Sequence, residues 1–119
     1  MTGGRLLRLK PFIGNHDFFL TYGDGLANVN LKKLLKFHNN QNTIGTVTSV
    51  VPPARFGAMN ISNNIVKTFS EKVHTKDTWI NGGYFIFKKE IFNFLKDDST
   101  VLEKDPLINL TKKKTIICL

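Results

Sequence analysis

The sequence predicts an α/β domain built on a strand–helix–strand unit, and three stretches predict it. Phe18-Phe19-Leu20-Thr21-Tyr22 is an apolar, β-prone run that empties into Gly23-Asp24-Gly25. Asn30 is a good N-cap, after which Leu31, Leu34, Leu35 and His38 fall on one face at helical spacing, with Lys32, Lys33 and Lys36 largely on the others. Thr43 to Val51 is rich in Thr and Val and reads as a second strand. Strand, helix and strand in that order imply a parallel pair joined by a right-handed crossover.

Hydrophobic residues make up 41% and charged residues 22% of the 119, enough to bury one core and too apolar for a disordered chain. No apolar run approaches the ~20 residues that cross a bilayer, and the first residues lack the apolar segment of a signal peptide. The expectation is a cytoplasmic protein with no membrane partner. The single cysteine, Cys118, lies in the apolar run Ile116-Ile117-Cys118-Leu119 and is expected to be a buried small hydrophobe. Seventeen Lys and Arg against nine acids give a formal net charge of +8, which favours polyanions. The lysines are scattered over helix faces and a tail cluster, Lys112 to Lys114, and form no stripe with aromatics. A nucleic-acid partner is therefore not expected, and a non-catalytic basic module that binds nucleic acid stands as the alternative from another class.

Thr2-Gly3-Gly4 reads as a glycine turn into a short helix over Arg5 to Lys10 that Pro11 ends, and Gly14-Asn15 as a second turn. Asp17 to Tyr22 is the first strand. Pro52-Pro53 stops the second, and Arg55-Phe56-Gly57 forms a loop. Ala58 to Ile61 and Ile65 to Phe69 then read as strands joined by a hairpin turn at Asn63-Asn64. Val73 to Thr78 is too polar to pack, and Trp79 to Phe87 leads through paired glycines into a strongly apolar strand. Ile91, Phe92, Phe94 and Leu95 suit a short amphipathic helix broken by Asp97-Asp98-Ser99. Pro106 suits the first turn of another running to Lys112, and Thr115 to Leu119 is a last strand. His38 is assigned a structural role.

Asp24 is the carboxylate most exposed to a functional reading. A strand ending at Tyr22 places it at the carboxyl edge where open α/β sheets collect ligands, and Gly23 and Gly25 let a ligand approach closely. Such a carboxylate suits Mg²⁺ carried in with phosphates; Asp-Gly is equally a hairpin turn. Arg5 could face a phosphate or be solvated. Glu71 and Lys72, adjacent on an extended chain, point to opposite faces and so form no ion pair, and two solvated charges is the plain alternative. Asn81-Gly82 could likewise be a turn.

Taken in order, Thr2-Gly3-Gly4-Arg5, Tyr22-Gly23-Asp24-Gly25, Pro52-Pro53-Ala54-Arg55-Phe56-Gly57, Glu71-Lys72 and Trp79-Ile80-Asn81-Gly82-Gly83 resemble the glucose-1-phosphate cytidylyltransferases of the sugar nucleotidyltransferase superfamily. The resemblance covers essentially the whole chain. It implies a three-layer α/β/α nucleotidyltransferase (Rossmann-like) fold with a mixed, mostly parallel sheet, and formation of CDP-glucose and pyrophosphate from CTP and α-D-glucose 1-phosphate, in a route to nucleotide sugars such as those of lipopolysaccharide O-antigen. It also implies Mg²⁺ as cofactor, small-molecule partners, and a homo-oligomer for a full-length enzyme. Carried over by the motifs, Asp24 would hold the metal and Gly23 would pack against substrate. Lys72 would contact the sugar phosphate, Glu71 and Asn81-Gly82 the sugar, and Arg5 the nucleotide phosphates or sugar. Thymidylyl- and uridylyltransferases of the same fold are the near alternative.

Three features depart from the pattern. The 119 residues contain no glycine-rich Thr-Arg loop to cradle a triphosphate, and no second metal-binding aspartate after a Trp-bearing segment. The usual Glu-Lys-Pro is Glu71-Lys72-Val73. The expectation is a central part of one nucleotidyltransferase domain, incomplete at both ends and nearly inactive alone.

Overall fold

The computed structural model describes residues 1–52, 58–70 and 79–119. It divides into two compact units, one of Met1–Thr48 with Gly82–Leu119, the other of Ser49–Asn81.

The larger unit opens with helices α1 (Thr2–Arg8) and α2 (Lys10–Ile13). Gly3 and Gly4 therefore lie inside a helix and not in the turn expected of them. Pro11 sits in the first turn of the next short helix, where a missing N–H is harmless, instead of ending the first abruptly. The reason is packing at long range: α1 lies so close to the Asp98–Thr100 loop that a Cβ on Gly4 would sit 2.2 Å from the Asp98 carbonyl oxygen. Strand β1 (Phe18–Thr21) follows, then α3 (Leu31–Asn39), whose cap is the expected one, with Asn30 Oδ1 accepting from Lys33 N at 2.9 Å. Leu34 and His38 form its buried stripe, while Leu31 and Leu35 stay substantially exposed.

Strands β2 (Gly45–Val50), β5 (Ile80–Phe87) and β6 (Ile116–Cys118) complete a four-stranded sheet in the order β1-β5-β2-β6. β1 pairs antiparallel with β5, and β2 parallel with β6. Lys88 N donates to Ile44 O at 2.8 Å, and four residues along Tyr84 lies against Thr48, so β5 also runs opposite to β2. The sheet is mixed: β1, β2 and β6 share one direction and β5 opposes them. Helix α3 thus joins two strands of the same direction, but the expected parallel pair does not form, because a strand from much later in the chain inserts between them. Phe85 and Phe87 face one side of β5 and Ile86 the other, and all three are buried, so both faces of this central strand are covered.

The main core gathers Phe85, Phe87, Ile91, Leu102 and Leu110 with Leu6 of α1. Phe85 and Phe87 stack at 5.4 Å, and Tyr22 meets Phe85 edge-on at 5.9 Å. The segment with Ile91 and Phe92 is a 3₁₀ helix, Lys89–Phe94, and α4 (Asp105–Lys112) carries Pro106 in its first turn as expected. Cys118 is exposed, contrary to the expectation of burial, because β6 is an edge strand. The smaller unit holds an antiparallel hairpin of β3 (Ala58–Ser62) and β4 (Ile65–Ser70). Its turn residues Asn63 and Asn64 have φ of 49° and 62°, the paired positive values of a type I′ turn. Among the described residues no helix is long and apolar enough to cross a membrane.

His38 is structural, as expected. Its ring is fully buried, Nδ1 lies 2.8 Å from Thr46 Oγ1, and Nε2 has no hydrogen bond, with Asp17 Oδ2 at 3.9 Å. Burial pushes its pKa below the usual 6.5, against the pull of Asp17 and helped by Lys88. The unfolded chain therefore binds a proton there before the folded one does, so stability is full above about pH 6.5 and falls as pH drops below it. Urea unfolding should show a lower midpoint at pH 5.5 than at pH 7.5, and changing His38 to Gln should flatten that difference.

Candidate functional site

Strand β1 stops at Thr21, and Tyr22–Gly25 form a turn closed by Gly25 N donating to Tyr22 O at 3.2 Å. The turn is not a hairpin, since the strand before it pairs with β5 and no strand follows it directly. The hairpin alternative for Asp24 is thereby set aside. Its carboxylate is exposed and makes no hydrogen bond or ion pair among the described residues.

Beside this turn lies an open cleft of about 180 Å³ lined by Thr2, Arg5 and Leu6 of α1, by Leu9 between the two helices, by Leu20 to Gly23, and by Leu102. It brings Arg5 and Gly23, two residues singled out from the sequence, to one place. The two arginines of α1 have different employment. Arg8 holds Asp98 through Nε to Oδ1 at 2.8 Å and Nη2 to Oδ2 at 2.6 Å, a fork that depresses the Asp98 pKa. The Arg5 guanidinium has no such partner among the described residues and stays available to an anion.

Gly82 lies on β5 and is pressed against Thr48, where a Cβ would come within 2.7 Å of Oγ1. Close strand packing therefore explains that glycine without a ligand. Asn81 is exposed at the strand's outer end. Glu71 and Lys72 lie outside the described residues. Among the described residues no three His, Cys, Asp or Glu side chains gather into a group able to hold a metal.

Glu103 was not singled out from the sequence. Its Oε1 accepts from the Tyr22 hydroxyl and its Oε2 from Thr2 Oγ1, both at 2.7 Å, while Leu102 N donates to Thr2 Oγ1 at 2.9 Å. Partial burial would raise the Glu103 pKa, but those two hydroxyls and a backbone hydrogen bond together outweigh it and hold the carboxyl below its ordinary value. Glu103 therefore fastens two of the motifs, through Thr2 and Tyr22. The sole local signal was an acid in the polar run before Pro106, which says nothing about contacts made across the fold.

Residues 6–115 match the nucleotidyl transferase family. The chain belongs to that family. Among its relatives, it is 43% identical over 113 residues to a probable glucose-1-phosphate cytidylyltransferase of Bacillus subtilis (strain 168), covering 94% of this chain and 44% of that protein. It is 37% identical over 114 residues to a glucose-1-phosphate cytidylyltransferase of Salmonella typhi, covering 95% and 44%. This nucleotidyl transferase chain thus spans less than half the length of these relatives. A crystal structure of apo UDP-glucose pyrophosphorylase superposes with a TM-score of 0.64 at 20% identity, over 98% of this chain and 50% of that one, a likeness of fold. In such a fold the carboxyl ends of the parallel strands are the ligand-binding edge. Gly23 and Asp24 follow directly on β1 at that edge.

Proposed function

We propose that this chain carries the sugar-phosphate side of a Mg²⁺-dependent glucose-1-phosphate cytidylyltransferase, which forms CDP-glucose and pyrophosphate from CTP and α-D-glucose 1-phosphate. The observation that carries the reading is an exposed carboxylate, Asp24, with no hydrogen bond or ion pair among the described residues, following directly on Gly23 of a cleft that Arg5 also lines. The names of these two relatives support the choice of substrates.

Asp24 suits the metal on chemical grounds, since Mg²⁺ is commonly held by one or two carboxylates together with substrate phosphates. Bound there, the ion would neutralise phosphate charge. The sugar phosphate is already ionised near neutral pH, so the chain need supply no base for in-line attack on the α-phosphorus. Its task is positioning and charge. Gly23 would pack against substrate and Arg5 would face a phosphate. Lys72 would act as a point charge on the sugar phosphate, with Glu71, Asn81 and Gly82 towards the sugar. The reaction is assigned to the cytoplasm and its product to nucleotide-sugar supply, as for O-antigen.

Binding is the direct readout for these 119 residues. Glucose 1-phosphate with Mg²⁺ should shift the amide resonances of Gly23, Gly25 and Gly82 saturably, and glucose at equal concentration should not. No saturable shift, together with salt-sensitive retention on single-stranded DNA that is indifferent to Asp24→Asn, would replace the reading with the basic module. If dTTP or UTP with Mg²⁺ shifts these amides saturably and CTP does not, the fold and site stand but the nucleotide is wrong.

A further inference from the structure

The turn that carries Asp24 has little backbone structure of its own. Between Tyr22 and Asn30 the backbone hydrogen bonds beyond helices and strands include, among the described residues, Gly25 N to Tyr22 O at 3.2 Å and Val29 N to Ala27 O at 3.0 Å. With glycine on both sides, Asp24 would sample many positions if nothing else held it. Both tyrosines of the chain act on this turn. The Tyr84 hydroxyl donates to Gly25 O and accepts from Ala27 N, each at 3.1 Å. It spends its single proton and a lone pair on the backbone just after Asp24. On the other side, Tyr22 donates to Glu103 Oε1, and Thr2 holds Oε2.

We propose that Tyr84 and Glu103 are positioning residues that grip the Asp24 turn from its two ends and set the direction of its carboxylate. The inference deepens the reading of Asp24 as a ligand-facing group and rests on it. Both anchors stand on ordered parts of the larger unit. Tyr84 lies on the central strand β5 beside fully buried Phe85, with its own N–H and C=O tied to Thr48 Oγ1 at 3.3 and 3.2 Å. Gly83, at φ +79°, leaves room for the Tyr22 ring, since a Cβ there would fall 3.1 Å from Tyr22 Cδ2. A phenol on the central strand and a carboxylate tied to α1 are the kind of support that keeps a site residue within its working geometry.

Tyr84→Phe keeps the ring and removes the hydroxyl, and Glu103→Gln leaves one acceptor oxygen where there were two. In Tyr84→Phe the Ala27 amide should exchange with solvent about fivefold or more faster, as loss of one hydrogen bond allows, with Ile86 unchanged. Mn²⁺ added with glucose 1-phosphate should broaden the Gly23 and Gly25 amides of the unaltered chain. In both variants the apparent Mn²⁺ affinity should drop about fivefold or more while thermal unfolding stays cooperative. Unchanged Ala27 exchange in Tyr84→Phe overturns the grip, and faster exchange with unchanged Mn²⁺ affinity overturns its role in positioning. If the unaltered chain shows no Mn²⁺ effect at Gly23 and Gly25, the ligand-facing reading of Asp24 fails and takes positioning with it, while Ala27 exchange still decides the grip.

Discussion

Alanine in place of Gly4 is expected to destabilise the larger unit by about 2–3 kcal/mol, the upper part of the range for forcing atoms into a packed interior. The sign is the informative part. In a solvent-facing helix the same change would stabilise by about 1 kcal/mol, because glycine is the poorer helix former. Here the new Cβ would meet the Asp98 carbonyl oxygen at 2.2 Å, its Cα at 2.5 Å and its carbonyl carbon at 2.6 Å, all backbone atoms that no rotamer change can move. The helix must withdraw, and with it go the bond from Gly4 N to Thr100 O at 3.2 Å and the N-terminal amine to Asp98 O at 2.9 Å. At Gly3 the first clash is with Thr100 Cγ2 at 2.8 Å, a side-chain methyl, so Gly3→Ala should cost less. Urea unfolding of the two variants checks this. A Gly4→Ala chain as stable as its parent would mean that α1 does not pack against the Asp98 loop, and the placement of Thr2 and Arg5 in the cleft would fall with it.

These glycines also mark where sequence reading reached its limit. Local rules carried α3 and the β3–β4 hairpin, since an N-cap, a 3.6-residue period and a pair of asparagines act within a few residues of themselves. Gly3 and Gly4 obey a neighbour some ninety residues away, in the Asp98–Thr100 loop, and read alone they look like a turn. The same distance in sequence hid the insertion of β5 between β1 and β2, the edge position that exposes Cys118, and the bond from Tyr22 to Glu103. Of the candidate site, the placing of Arg5 and Gly23 on one cleft, with Asp24 next in the chain, was legible because the motifs that contain them are contiguous. Glu103 and the hydroxyl of Tyr84 were not, because their work is done across the fold.

Asp24→Asn separates a ligand from a solvated surface charge. The side chain is exposed and partner-free among the described residues, so its replacement should leave the urea midpoint within the scatter of ordinary surface changes, about 0.5 kcal/mol. Electrostatics without a metal then makes one prediction and metal bridging the opposite one. Removing a carboxylate from a chain of formal charge +8 raises that charge by one, and a phosphate about 4 Å away would bind more tightly by roughly 1 kcal/mol in water. If instead Asp24 holds Mg²⁺ between itself and the phosphate, Mg²⁺-dependent binding of glucose 1-phosphate should weaken by about tenfold or more. Even residues that merely support metal ligands are worth 10–100-fold in affinity. Calorimetric titration with glucose 1-phosphate, with Mg²⁺ and with EDTA, reads both. Weaker binding confined to the Mg²⁺ arm supports the metal assignment. Tighter binding in both arms would make Asp24 a charge that merely repels the ligand, and the metal would have to be held elsewhere.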